Sequence, residues 1–217
     1  MIISHTHRFI FFSNPKTGSE SVRALLAPLN EEPIGAWRDR TTKNPFYAHM
    51  SPAEAQISFA AKRWPFEDYR RITCVRNPYP RLVSLYRMIA DVDGLWRWRR
   101  RMGLGQTSFS RWLHETQPYG PGGGGRIHQR WRRYGTWSAQ TWTTNAQGAR
   151  LVTDILRLEH LDHELPVLLA EMGLPVRAQL GHVNARSKTD WSHWYSPQAR
   201  ALVADRYAWD LKRFSYS

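Results

Sequence analysis

The chain is poor in cysteine, in acidic side chains and in long apolar runs, and each shortage narrows what it can be. A single cysteine, Cys74, excludes an internal disulfide, which fits a reducing compartment. It stands in the apolar run Ile72-Thr73-Cys74-Val75, where a buried packing thiol is the better reading than a nucleophile. No stretch approaches the roughly 18 apolar residues that a membrane span needs. The short run Phe9-Ile10-Phe11-Phe12 lacks the basic segment and small-residue cleavage site of a secretory leader. The expectation is therefore a soluble, cytoplasmic protein. No G-x-x-x-x-G-K-[ST] pattern occurs, which excludes a Walker A nucleotide loop. Asp and Glu number 18 against 31 Lys and Arg, a formal net charge of +13. That surplus favours a polyanionic partner: nucleic acid, an anionic membrane surface or a highly phosphorylated small ligand.

What is present suits one α/β domain over residues 1–217, or one domain carrying an insertion. A hydrophobic content of 41% excludes global disorder. Arg8 to Ser13 reads as a buried strand, broken by the turn cluster Asn14-Pro15-Lys16-Thr17-Gly18. Val22, Leu25, Leu26 and Leu29 then share a helical face. The pattern repeats: Arg71 to Val75 is strand-like, Arg76-Asn77-Pro78-Tyr79-Pro80 is a turn with prolines at a helix start, and Leu82, Leu85, Tyr86 and Ile89 form the next apolar face. Between them Pro52 to Lys62 reads as a helix capped by Ser51. A third strand is expected at Asp154 to Leu158, a helix from about Asp162 to Met172 ended by Gly173 and Pro175, and a last helical face at Val203, Tyr207, Leu211 and Phe214. Strands alternating with helices predict a mainly parallel central sheet flanked by helices. Residues from about 92 to 147 stand apart, holding six of the 11 tryptophans, many arginines and the run Gly120-Pro121-Gly122-Gly123-Gly124-Gly125. They read as a helical, Trp/Arg/Gly-rich insertion or lid on the acceptor side.

Both predicted loops leave strands at the carboxyl edge, where open α/β sheets bind ligands. In Pro15-Lys16-Thr17-Gly18-Ser19-Glu20-Ser21, Gly18 allows close backbone approach, helical N–H groups point at an anion, Lys16 adds a cation, and Thr17, Ser19 and Ser21 add hydroxyls. The plainer alternative is a capped helix with a solvent-facing lysine. In the second loop Arg76 can fork two donors onto phosphate oxygens and Ser84 can add a hydroxyl from the following helix. The alternative is that Arg76 pairs with a local carboxylate and Ser84 packs.

The segment Phe11-Phe12-Ser13-Asn14-Pro15-Lys16-Thr17-Gly18-Ser19 resembles the 5′-phosphosulfate loop of sulfotransferases that use PAPS (3′-phosphoadenosine 5′-phosphosulfate). Val75-Arg76-Asn77-Pro78-Tyr79-Pro80-Arg81-Leu82-Val83-Ser84-Leu85-Tyr86 resembles their 3′-phosphate segment, closest to the carbohydrate, heparan 2-O-sulfotransferase-like (Golgi-type) branch. Order and spacing match, and Leu158-Glu159-His160-Leu161 and the tail from His182-Val183-Asn184 to Phe214-Ser215-Tyr216 look like later landmarks. The resemblance implies a P-loop-like sulfotransferase fold, PAPS as donor, PAP as product and a hydroxyl acceptor, a glycan or small metabolite. Lys16, Thr17, Gly18, Ser19, Glu20 and Ser21 would hold the 5′-phosphosulfate, Arg76 and Ser84 the 3′-phosphate, and Asn184, Arg186 and Lys188 would close over the nucleotide. Glu20 departs from the pattern, because a carboxylate beside an anion is unfavourable unless it faces away. With no membrane anchor, a bacterial member is expected.

Sulfuryl transfer is an in-line displacement, so fixed positive charge and positioning carry it. Lys16 is expected to stabilise the leaving phosphate. His49, in Phe46-Tyr47-Ala48-His49-Met50-Ser51-Pro52, resembles the catalytic histidine of the heparan-type branch and is expected to be the general base; otherwise it is a hydrogen-bonding residue at a helix start. His5 and His7 alternate like same-face strand residues, but no third ligand has sensible spacing, and His160 with His163 has no ligand set, so no metal is expected. In Trp96-Arg97-Trp98-Arg99-Arg100-Arg101, Trp96, Trp98 and Arg99 are candidate acceptor contacts, or the cluster is a solvated basic helix packed by its tryptophans. Two rivals remain. A phosphoryl transferase would need a Walker-type loop and magnesium carboxylates, and a basic nucleic-acid-binding protein would leave both strand-end loops unexplained.

Overall fold

The computed structural model describes residues 1–105, 108–115, 135–175 and 190–217. Its four strands are β1 (Ile2–Ser4), β2 (Phe9–Phe12), β3 (Arg70–Val75) and β4 (Asp154–Arg157), side by side in that order. β2, β3 and β4 run parallel, with Phe11 opposite Ile72 and Thr73 opposite Ile155. β1 adds an antiparallel edge, Ile3 opposite Ile10. The three parallel strands are those expected from the apolar runs. All four residues of β2 and five of the six of β3 are buried, as in parallel strands covered on both faces. β1 is too short to show a period. Residues 5–8, where His5 and His7 suggested a same-face strand, form instead the turn between β1 and β2, with Arg8 at φ 51°. His5 there contacts the Tyr69 hydroxyl at 2.7 Å and Glu32 at 3.1 Å.

The helices are α1 (Ser19–Leu26), α2 (Pro52–Ala61), α3 (Pro78–Val92), α4 (Gly94–Arg101), α5 (Phe109–Glu115), α6 (Leu161–Glu171), α7 (Pro197–Arg206) and α8 (Ala208–Phe214). α2 starts on a full capping box: Ser51 Oγ accepts from the Glu54 N–H and the Glu54 carboxylate accepts from the Ser51 N–H. The expected C-terminal helix is two helices, because Tyr207 leaves helical geometry at φ −112°.

The chain forms two compact units. The first, Met1–Arg76 with Ala139–Ala185, contains the whole sheet. Phe9, Phe11, Ile72 and Cys74, alternating residues of β2 and β3, pack with Val22 and Leu26 of α1 and with Leu161, Leu165 and Leu168 of α6. Burial pushes the Cys74 thiol upward, so it is a packing group. Arg70 grips Asp154 with two 2.9 Å hydrogen bonds and Glu171 with one of 2.7 Å, tying the starts of β3 and β4 together. The second unit, Asn77–Ser138 with Arg186–Ser217, is helical where described. Leu82, Leu85, Tyr86 and Ile89 of α3, the face expected from the sequence, pack with Trp112, Leu113, Val203 and Tyr207. The described part of the 92–147 stretch is divided at Ser138 between the two units.

Candidate active site

The first loop is built by its own polar groups. Asn14 Nδ2 donates to the Cys74 carbonyl at 3.0 Å, holding the end of β2 against the end of β3. The Asn14 carbonyl then accepts from Thr17 Oγ1 at 2.8 Å and Ser19 Oγ at 2.7 Å, closing the loop on itself. Inside it Lys16 and Gly18 both take left-handed backbone, at φ 64° and 75°. Turns of this kind form anion-binding concavities lined by backbone N–H groups. For a lysine the conformation costs about 1–2 kcal/mol, and strain of this sort collects at functional sites. Gly18 is the N-cap of α1 and has no side chain to cap it, so the positive end of the helix dipole lies at this loop. Glu20, the unfavourable carboxylate, is 63% exposed and turned toward Arg23 at 3.9 Å.

Gly18 is also a packing requirement. A Cβ there would lie 2.5 Å from Leu158 Cδ1 and 3.4 Å from Leu161 Cδ2, which gives the Leu158-Glu159-His160-Leu161 landmark a physical role under the loop. Gly18→Ala is expected to cost about 1–2 kcal/mol through the left-handed backbone, a fall in Tm of roughly 2–8 °C for a chain of this size. Thermal unfolding followed by circular dichroism checks it, and an unchanged Tm would mean that the loop is not held in this conformation.

The second loop meets the first. Arg76 stands immediately beyond β3, half-buried, and its Nη1 donates to the Lys16 carbonyl at 3.2 Å. Two cationic residues 60 positions apart are thereby brought to the ends of adjacent parallel strands. His49 is anchored to the same place. Its Nδ1 lies 2.7 Å from the carbonyl oxygen of Ser13, the residue between β2 and the loop. A carbonyl only accepts, so Nδ1 carries the proton, and the basic lone pair of the neutral ring is on Nε2.

A family model, the Sulfotransferase family, matches residues 1–217, the entire chain. The chain belongs to the sulfotransferase family. It is therefore a transferase of sulfuryl groups. No curated protein and no solved structure matches it.

The remaining expected site residues of the sulfotransferase are placed as follows. Thr17 and Ser19 are buried and donate their hydroxyl protons to Asn14, so they build the loop that presents its backbone. Ser21 is half-buried in the first turn of α1. Ser84 lies in α3 of the second unit, on the half-buried stripe it shares with Arg87 and Met88, away from the apolar face of that helix. Trp96 is 8% exposed and packs edge-on against Tyr86 at 5.6 Å, which gives it a core role instead of an open stacking face. Trp98 and Arg99 are exposed. Asn184, Arg186 and Lys188 lie outside the described residues. Sequence reasoning missed Asn14 and Ser13. Asn14 stood in view within a turn cluster, but its partner Cys74 is 60 positions away, and nothing local links Ser13 to His49.

Proposed function

We propose that the protein transfers a sulfuryl group from PAPS to a hydroxyl of a carbohydrate or other small acceptor, with His49 as general base. The observation that carries this reading is the hydrogen bond from Arg76 to the Lys16 carbonyl, because it joins two anion-binding elements into one cationic edge. A single phosphate would need only the first loop. A ligand with phosphate groups at two positions, such as the 3′,5′-bisphosphate of PAP, uses both. In the reaction the acceptor oxygen attacks sulfur, the bond from sulfur to the 5′-phosphate oxygen breaks, and the electron pair stays on PAP. Lys16 and the left-handed loop offset the charge arriving on that phosphate. The acceptor proton passes to His49 Nε2, while the Ser13 carbonyl holds the ring through Nδ1 and favours the imidazolium that forms.

Calorimetric titration with PAP, 5′-AMP and ATP tests the donor assignment. PAP is expected to bind most tightly, and Arg76→Ala to weaken it roughly 10- to 150-fold, the range for a hydrogen bond to a charged group. AMP, without the 3′-phosphate, should be little affected by the substitution. PAP binding no tighter than AMP would overturn the assignment.

A further inference from the structure

Seven large apolar side chains stand about half or more exposed among the described residues, and five of them fall between positions 92 and 104. Leu95, Trp98 and Met102, exposed by 59, 52 and 60%, are spaced i, i+3 and i+7 along α4 and its C-cap, so they share one face. Val92 and Leu104 flank them. Within α4 the only buried residue is Trp96, packed on Tyr86. The rest of the surface of α4 is basic: Arg97, Arg99, Arg100 and Arg101 are all exposed. Two acidic groups stand near, Asp91 at 3.8 Å from Arg100 and Asp93, which caps the helix by accepting from the Trp96 N–H at 3.0 Å. Four arginines against two aspartates leave the patch cationic around an apolar stripe.

We propose that α4 is an interfacial helix that lays the Leu95, Trp98 and Met102 face into the headgroup boundary of an anionic lipid bilayer. Eight residues at 1.5 Å each span about 12 Å, far less than the roughly 30 Å of a hydrocarbon core, so the helix lies along the surface. Among the described residues no helix is long and apolar enough to cross a membrane. The two halves of the patch match the two halves of the boundary. Aliphatic side chains gain from burial at the acyl edge, and an exposed indole suits the headgroup level. Arginines on the same helix reach anionic headgroups with their stems lying on apolar surface. Nucleic acid would match the arginines but would leave Leu95 and Met102 exposed, because its surface offers phosphates and base faces and little aliphatic contact. The inference rests on α4 alone and stands independently of the donor assignment.

Co-sedimentation of the full chain with vesicles tests it, using phosphatidylcholine alone and phosphatidylcholine mixed with phosphatidylglycerol, at low and high salt. Pelleting is expected with the anionic vesicles and should weaken with salt. Leu95→Ser with Met102→Ser keeps every charge and is expected to lower the partition at least roughly tenfold. Arg100→Gln with Arg101→Gln should lower it roughly fivefold per arginine. Circular dichroism of both double variants checks that the fold is retained. Equal pelleting on both vesicle types, or none, would overturn the proposal. Loss with the arginine variant but not with the apolar one would reduce the effect to bulk charge and overturn it as well. The same holds if the apolar variant turns a dimer into a monomer on gel filtration without changing vesicle binding, since a second copy would then cover the face. Duplex DNA bound equally by parent and apolar variant, with vesicles ignored, would assign the patch to nucleic acid.

Discussion

Replacing His49 with alanine is expected to lower turnover by roughly 10²–10⁴-fold, the usual contribution of a positioned general base, while PAP affinity stays as in the parent. The assay is PAP release from PAPS, with an acceptor chosen from a panel of glycans, alcohols and phenols. On the proposed role the neutral imidazole is the active form, so the parent rate should fall toward acid pH, and that acid limb should vanish in the variant. His49→Asn separates base from scaffold. An asparagine amide at this position can still donate to the Ser13 carbonyl, which now takes the Nδ1 proton at 2.7 Å, but it has nothing in place of Nε2. If the asparagine variant is as slow as the alanine variant, Nε2 is the working atom. Should it recover the parental rate and acid limb, His49 serves only to hold the strand end, and another group is the base.

Lys16 carries the second large effect. Its amine is expected to be worth roughly 10²–10³-fold in turnover, the cost of removing one donor aimed at developing charge. Its backbone, at φ 64°, is meanwhile strained by about 1–2 kcal/mol. These two contributions point in opposite directions in Lys16→Gly. Glycine relieves the left-handed strain and adds up to about 1 kcal/mol of unfolded-state entropy, so Tm should be no lower than in the parent while the rate falls by two to three decades. Lys16→Ala loses the same rate and keeps the strain. Thermal unfolding and the PAP-release assay, run on all three proteins, decide the matter. A glycine variant that is both unstable and slow would mean that the lysine side chain holds the loop together, and one with parental turnover would remove Lys16 from the chemistry.

Much of the architecture was legible because its signals are local. The run Phe9 to Phe12 is wholly apolar and Ile72 to Val75 mostly so, as expected of strands covered on both faces. Ser51 announced α2 as an N-cap that needs no tertiary partner, and the structure adds Glu54, which completes a capping box with it. Asn77-Pro78 likewise opened α3, and the Asn77 side chain accepts from the Tyr79 N–H. β1 escaped because three residues show no periodicity; it becomes a strand by pairing with β2. Trp96 and Trp98 show the same limit within one helix. Side chains two positions apart on a helix face different ways, yet an alternation of tryptophan and arginine does not say which tryptophan meets the core, and only the packing of Tyr86 against Trp96 does.

The sequence by itself determined the strand-loop-helix modules, the glycine in the first loop and the pair of loop motifs that resembles the sulfotransferases, all of them set by neighbours within a few residues or by residue identity. Only the tertiary structure decided that Arg76 reaches the Lys16 carbonyl, that Asn14 bridges to Cys74, and that His49 turns its Nδ1 to Ser13 and its basic nitrogen to Nε2. These contacts span 36 to 60 positions. They exist because β2 and β3, remote in sequence, lie side by side and parallel, so that both loops leave the sheet at one edge.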